Sequence, residues 1–267
     1  MNLYLSSTVL WNYPVDQVIS IAEQYGFRGV EVWAEQVRFH QTSAESIITA
    51  KEKYHMDLTF HAPSWDLNLC AMNEGVRKQS VHEIEQSMEL ASRIGARNMT
   101  IHPGKRTLTR DWTSWHFDRL IESLAYLAEK AQEFDVVLSV EQMEHEKKEF
   151  ITTPDMINQL IHQLPSTVQV TFDIAHVPIE ADLQGYYEQI ERINKIHLSD
   201  ASSNAYHLPL GNGEVDFEAL LNRLEKTDLP VVLEGYDHAM DHQFLQANLS
   251  VLQPYLAGRS RVENFSY

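Results

Sequence analysis

The chain holds a single cysteine, Cys70, in 267 residues. An intrachain disulfide is therefore excluded, and a reducing compartment is expected. Cys70 follows no recognisable base and reads as a small buried side chain. No apolar run approaches the ~18 residues that a membrane helix needs. The opening stretch, MNLYLSSTVLWNYP, lacks a basic region followed by an apolar one, so no secretory signal is expected. A cytoplasmic protein without a membrane partner is the expectation. Basic charge is scarce: 21 Lys and Arg stand against 38 Asp and Glu, a net charge of −17 with His neutral. Such a field repels nucleic acid, and no local basic patch interrupts it. Also absent are a linker rich in Pro, Gly or Ser and a glycine-rich phosphate loop after the first strand.

What is there repeats. Strand-like runs cover 2–7, 28–33, 57–61, 98–102, 136–141, 168–173, 194–199 and 230–235. They are rich in Val, Ile, Leu, Thr and Phe, and several are too uniformly apolar for a half-exposed sheet; parallel strands buried on both faces read this way. Helical patterns lie between them at 14–25, 74–94, 114–134, 154–163, 216–226 and 241–254. In the first, Val15, Val18, Ile19 and Ala22 recur at helical intervals. Asp111, Thr153 and either Glu214 or Asp216 are the expected N-caps. Eight strands alternating with roughly eight helices give a closed barrel or an open doubly wound sheet. An open sheet would carry its ligand at one switch point.

Here chemistry recurs at seven strand ends: Glu31, His61, His102, Glu141, Asp173, His197 and Glu234, at successive spacings of 30, 41, 39, 32, 24 and 37 residues. That is about one strand, loop, helix and return loop each time. The expected fold is therefore a single α/β domain over 1–267, a (β/α)8 TIM barrel with a metal site at its C-terminal mouth. Glu141, Asp173, His197 and Glu234 come from the last four strands. Carboxylates with one imidazole and no thiolate suit one divalent ion, Mn²⁺, Co²⁺, Mg²⁺ or Zn²⁺. Strands five and eight lie three apart in the ring, so Glu141 and Glu234 should face each other across the ion as a catalytic acid/base pair.

Other candidates surround that set. His176 would contact a substrate hydroxyl or a second ion. His61 and His102 would hold a second metal, hydrogen-bond the substrate, or pack against a neighbouring acid. Glu31 is the member best suited to orienting a histidine. Trp11, Trp33 and Trp65 would pack on the C–H face of a sugar. Lys105, Arg106, Lys147 and Lys148 leave a phosphate contact open.

The strings SVEQ, TFDIAH, KIHLSD, HLPLGNGEVDF and VVLEGY, in that order and spacing, resemble the xylose isomerase-like barrel superfamily. Within it the chain is similar to the sugar phosphate isomerase/epimerase group, which includes ketose 3-epimerases, inosose isomerases and dehydratases. The resemblance spans nearly the whole chain. It implies Glu141, Asp173, His197 and Glu234 as metal ligands, Glu141 and Glu234 as acid and base, His176 near the substrate, and a homo-oligomer. The implied activity is isomerisation or epimerisation of a small sugar or polyol ketone, phosphorylated or not, by proton transfer through a metal-stabilised enediolate. A dehydratase or lyase of the same superfamily is the near alternative. The superfamily also contains endonuclease IV, a three-zinc DNA-repair hydrolase. His61, His102, Glu141, Asp173, His176, His197, His207 and Glu234 have counterparts in its pattern. Ala205 stands where the third zinc would want an aspartate. Ketose 3-epimerases carry an arginine before the Gly-x-Gly turn, which AYHLPLGNG lacks, so no ketose is named.

Overall fold

A computed structural model describes residues 1–256. The last part of the expected single domain, residues 257–267, lies outside the described residues. Eight parallel strands close into a barrel: β1 (Asn2–Ser6), β2 (Gly29–Trp33), β3 (Asp57–His61), β4 (Asn98–Ile101), β5 (Val137–Glu141), β6 (Gln169–Asp173), β7 (Ile193–Leu198) and β10 (Pro230–Leu233). Closure is made by β1 pairing with both β2 and β10. A short antiparallel ribbon, β8 (Asp200–Ser202) with β9 (Ala205–Leu208), follows β7 on the C-terminal side.

Each expected strand is present; β3 matches its range, β7 begins one residue earlier than expected, and the others lose a residue or two at an end. His102 and Glu234 are therefore the first residues beyond β4 and β10, whereas Glu31 sits mid-strand in β2. The uniformly buried strands have the expected cause. One face packs on helices and the other fills the barrel. That inner filling is more polar than the apolar runs suggested. Thr100 and Ser139 both hydrogen-bond the Thr171 hydroxyl, at 2.8 and 2.7 Å, and Ser139 donates to Asn194 at 2.7 Å.

The helices are α1 (Val15–Gln24), α2 (Ala34–His40), α3 (Ala44–Tyr54), α4 (Glu74–Ile94), α5 (Thr113–Glu133), α6 (Pro154–His162), α7 (Leu183–Gln189), α8 (Glu218–Leu224) and α9 (Gln243–Leu256). Val15, Val18, Ile19 and Ala22 of α1 are all buried, as their spacing requires. Gly95, at φ 74°, ends α4 in the left-handed region that a side chain disfavours. Three helices had no expected range: α2, α3 and α7. α2 and α7 are two turns each, too short for a periodic stripe to stand out.

Thr153 caps α6 as expected, accepting from the Met156 amide at 3.3 Å. Two cap expectations need correction. Asp111 and Trp112 are both left-handed, so the cap position of α5 passes to Trp112, which makes no side-chain bond. α8 begins at Glu218 behind Phe217, leaving Glu214 and Asp216 outside it. Among the described residues no helix is long and apolar enough to cross a membrane.

Candidate metal centre

β5 and β6 end on Glu141 and Asp173, β7 carries His197 one residue from its end, and Glu234 leaves β10. Barrel closure brings one ligand atom from each within 4.8 Å of the others. His197 Nδ1 lies 2.8 Å from Glu234 Oε2, 3.3 Å from Glu141 Oε1 and 3.9 Å from Asp173 Oδ2. All four side chains are buried.

Two further groups adjoin this one. His61, His102 and Glu141 form the first, with the two imidazole Nε2 atoms 3.6 and 3.1 Å from Glu141 Oε2. Asp173, His176 and His207 form the second, with His176 Nε2 3.6 Å from Asp173 Oδ2. The three groups share Glu141 and Asp173, so the whole is one connected cluster.

The imidazoles are held in a common manner. His61 Nδ1 donates to the Ala62 carbonyl at 2.8 Å, and His176 Nδ1 donates to the Gln142 carbonyl at 2.9 Å. Each then turns Nε2 toward the carboxylates. His197 is reversed: its Nε2 lies 2.9 Å from Glu31 Oε2, and Nδ1 faces the acids. Fixing one ring nitrogen this way selects the tautomer of a metal-binding histidine.

The donor set fits a divalent cation. Glu141 Oε2, Asp173 Oδ2, His197 Nδ1, Glu234 Oε2 and His61 Nε2 are all buried without a hydrogen-bond partner among the described residues. Leaving so many buried polar atoms unpaired is costly unless something binds them together. Electrostatics agree. Burial, with Glu234 and Glu141 adding, pushes the Asp173 carboxyl well above the carboxylate range. Burial opposes ionisation of Glu141, yet His197 and His102 outweigh it and hold that carboxyl well below its usual value. For His197, burial favours the neutral ring, while Glu234, Glu31 and Glu141 together raise its pKa well above the usual value. Three crowded acids, with protons drawn onto Asp173 and His197, form the pattern a cation would replace.

Above the cluster opens a cavity of about 520 Å³, lined by Glu141, Glu234, His102, His176 and His207 among others. Trp33 and Trp65 line it too. Trp33 is buried and stacks flat on His61, with centroids 3.7 Å apart and planes 8° apart. Trp11 does not line the cavity; it is buried behind Trp65 and Tyr236. Of the four cations kept open for phosphate, Lys105 alone lines the cavity. The Arg106 guanidinium is turned away onto the Lys147 carbonyl and Thr113. Cys70 is buried as expected, and burial raises its thiol pKa to about 12.

Sequence reading passed over Lys195, Glu144, Glu149 and Tyr236. Lys195 carried a legible signal: two residues before His197 on a strand, it must face the same way. Its ammonium pairs inside the barrel with Glu31.

Comparison with known proteins agrees with this fold. An uncharacterized protein of Methanocaldococcus jannaschii is 25% identical over 228 residues, covering 84% of each chain. A probable endonuclease 4 of Mycoplasmopsis agalactiae is 26% identical over 197 residues, 67% of this chain and 68% of that protein. The crystal structure of a D-tagatose 3-epimerase-like protein superposes with a TM-score of 0.82 over 96% of this chain and 97% of the other, at 24% identity. Residues 19–255 match the sequence model of the xylose isomerase-like TIM barrel, and the chain belongs to that family.

Proposed function

We propose that this protein is a divalent-metal-dependent isomerase or epimerase of a small α-hydroxy ketone of the sugar or polyol class. The observation that carries the reading is the buried group Glu141, Asp173, His197 and Glu234 at the floor of an open cavity. A bound ion would polarise the substrate's carbonyl and neighbouring hydroxyl oxygens, making the adjacent C–H acidic.

The residues supply the rest. Glu141 and Glu234 enter the group from strands separated in the barrel order by β6 and β7. A planar carbon held between them has one carboxylate on each face. One glutamate takes the proton from one side, and the other returns a proton from its own side, which inverts the centre. Asp173 and His197 serve as ligands that do not exchange protons with substrate. Glu31 holds the His197 ring. His176, His102 and His207 line the cavity wall, placed to bind hydroxyl oxygens. Trp33 lies between that wall and the buried His61 and keeps water from it.

A second reading, a multi-zinc phosphodiesterase, is favoured by one observation: the flanking groups His61–His102–Glu141 and Asp173–His176–His207. The net charge of −17 and the acidic cavity wall, with Asp66, Glu144 and Glu149 against Lys105, oppose a polyanionic substrate.

Elemental analysis of protein purified without chelator separates the two readings. About one Mn, Co, Mg or Zn per chain, with solvent deuterium incorporated into ketoses or inososes in heavy water, is expected. Two or more zinc ions per chain, together with nicking of abasic DNA, would replace the isomerase reading by the hydrolase.

A further inference from the structure

Four aromatic rings form a continuous platform on the cavity rim, and the proton-transfer chemistry does not use it. Trp11 is its buried centre. Its ring centroid lies 5.3 Å from Phe39, 5.2 Å from Trp65 and 5.3 Å from Tyr236, at tilts of 42°, 39° and 44°. Trp65 and Tyr236, 6.2 Å apart, are about half exposed, at 48% and 51%, and Phe39 at 65%. Clustered exposed aromatics forfeit the burial that ordinarily holds such rings in a core, and such patches mark binding surfaces.

The platform is held in place by dedicated bonds. Glu35 Oε1 accepts from the amides of Ser64 and Trp65 at 2.6 and 3.1 Å, pinning the loop after β3. Gln36 Nε2 donates to the Leu10 and Tyr13 carbonyls at 3.0 and 2.9 Å, bracketing Trp11. The Trp11 amide donates to the Asp237 carbonyl at 3.0 Å, tying the loop after β1 to the one bearing Tyr236. Both bracketing side chains belong to α2.

Three features say what would rest there. The platform is continuous with the reaction site, since Trp65 and Tyr236 line the same cavity as Glu141 and Glu234. The cavity, about 520 Å³ and open to solvent, has room beyond a single sugar ring seated over the metal group. The walls near the platform are polar and acidic, with Ser64 and Asp66 beside the rings. The Ser64 hydroxyl is buried and has no partner among the described residues. Flat C–H faces with hydroxyl edges and no negative charge match a pyranose ring, and a phosphate would meet acids instead.

We propose that Trp65 and Tyr236 form a subsite for a second sugar ring, so that the substrate is a glycosylated ketose rather than a free or phosphorylated monosaccharide. This deepens, and rests on, the isomerase/epimerase reading of the cavity. The reacting ketone lies over the metal group, and the glycosyl ring stacks on the rim.

The test is calorimetric binding to the Mn²⁺-loaded protein, because it does not depend on turnover. D-fructose and D-tagatose are compared with the ketose disaccharides lactulose, maltulose, isomaltulose and turanose. At least one disaccharide is expected to bind about tenfold or more tightly than the monosaccharides. Trp65→Ala, and separately Tyr236→Ala, should bring disaccharide binding down to the level of the monosaccharides; both side chains are about half exposed, so the barrel tolerates their loss. Equal binding of all six sugars, or an advantage that survives both substitutions, overturns the subsite. So does sedimentation showing that Trp65→Ala converts a dimer to a monomer without altering binding, since the platform would then be a contact between copies. The two readings fail separately. Trp65-dependent disaccharide binding without deuterium exchange keeps the subsite and removes the epimerase. Exchange into monosaccharides without a disaccharide advantage does the reverse.

Discussion

Glu31 and Lys195, 164 residues apart in sequence, form an ion pair inside the barrel with neither side chain exposed to solvent. The second oxygen of Glu31 lies 2.9 Å from His197 Nε2, so the pair ends at the candidate metal ligand. A buried pair of this kind is weak evidence of net stability, but removing one partner strands the other charge. Lys195→Met should therefore cost about 3–5 kcal/mol in denaturant unfolding. Adding Glu31→Gln to it should recover most of that loss. If the single variant is as stable as the parent, the pair is not holding the barrel interior.

The same pair makes an acid-limb prediction. Burial raises the Glu31 pKa, but Lys195 and His197 outweigh it and bring it to about 2. Because the folded-state value is depressed, the folded state binds its proton less readily than the unfolded chain. This contribution is complete above the ordinary glutamate pKa and is lost as pH falls from about 4.5 to about 2. Glu31→Gln should flatten the acid limb of the stability curve in that window, which urea melts at stepped pH would read.

Glu149, on the cavity wall, titrates the opposite way. Burial first, then the charge of Glu144, raises its carboxyl pKa to about 7. Between about 4.5 and 7 the folded state holds a proton that the unfolded chain has released, so stability falls as pH rises through that window. Glu149→Gln should raise the melting temperature of the metal-free protein by a few degrees at pH 8, about 1–3 kcal/mol, and change little at pH 4. An equal shift at both pH values would mean that no such titration occurs.

Chelation and charge removal at the centre should have separable effects. Stripping the ion with EDTA should lower the melting temperature, since a ligand at 100 times its Kd stabilises by about 2.7 kcal/mol. Glu141→Gln and Glu234→Gln should each reduce proton exchange by about 10² or more with the circular dichroism unchanged. Retained exchange in either variant would take that glutamate out of the acid/base pair. His61→Ala should leave a one-ion enzyme nearly intact and cripple a two-ion one.

Behind His207, Asp200 accepts from the amides of Ala201, Gly211, Gly213 and Val215 at 2.8–3.1 Å, holding the loop after the β8–β9 ribbon. A Cβ at Gly213 would stand 2.3 Å from both the Ala201 carbonyl and Asp200 Oδ1. Gly213→Ala and Asp200→Ala should each cost about 1–3 kcal/mol by breaking this cradle. Thermal melts of the two variants would show it, and two neutral substitutions would mean that the loop rearranges freely.

The amino-acid sequence alone determined the barrel and the ring of acids and imidazoles, because both are written in short-range periodicities. The functional side chains recur every 24–41 residues, each at or near the end of a strand run. Parity along a strand then says which side chains face inward. Tertiary structure decided the rest, because it depends on which strands and loops meet after closure. Nothing local says that Lys195 on β7 reaches Glu31 on β2 across the barrel. α2 has only seven residues, too few for periodicity to reveal it, and its Glu35 and Gln36 matter only through loops they touch from a distance. Trp11, Trp65 and Tyr236 belong to three loops, and only closure of β1 against β2 and β10 turns them into one surface.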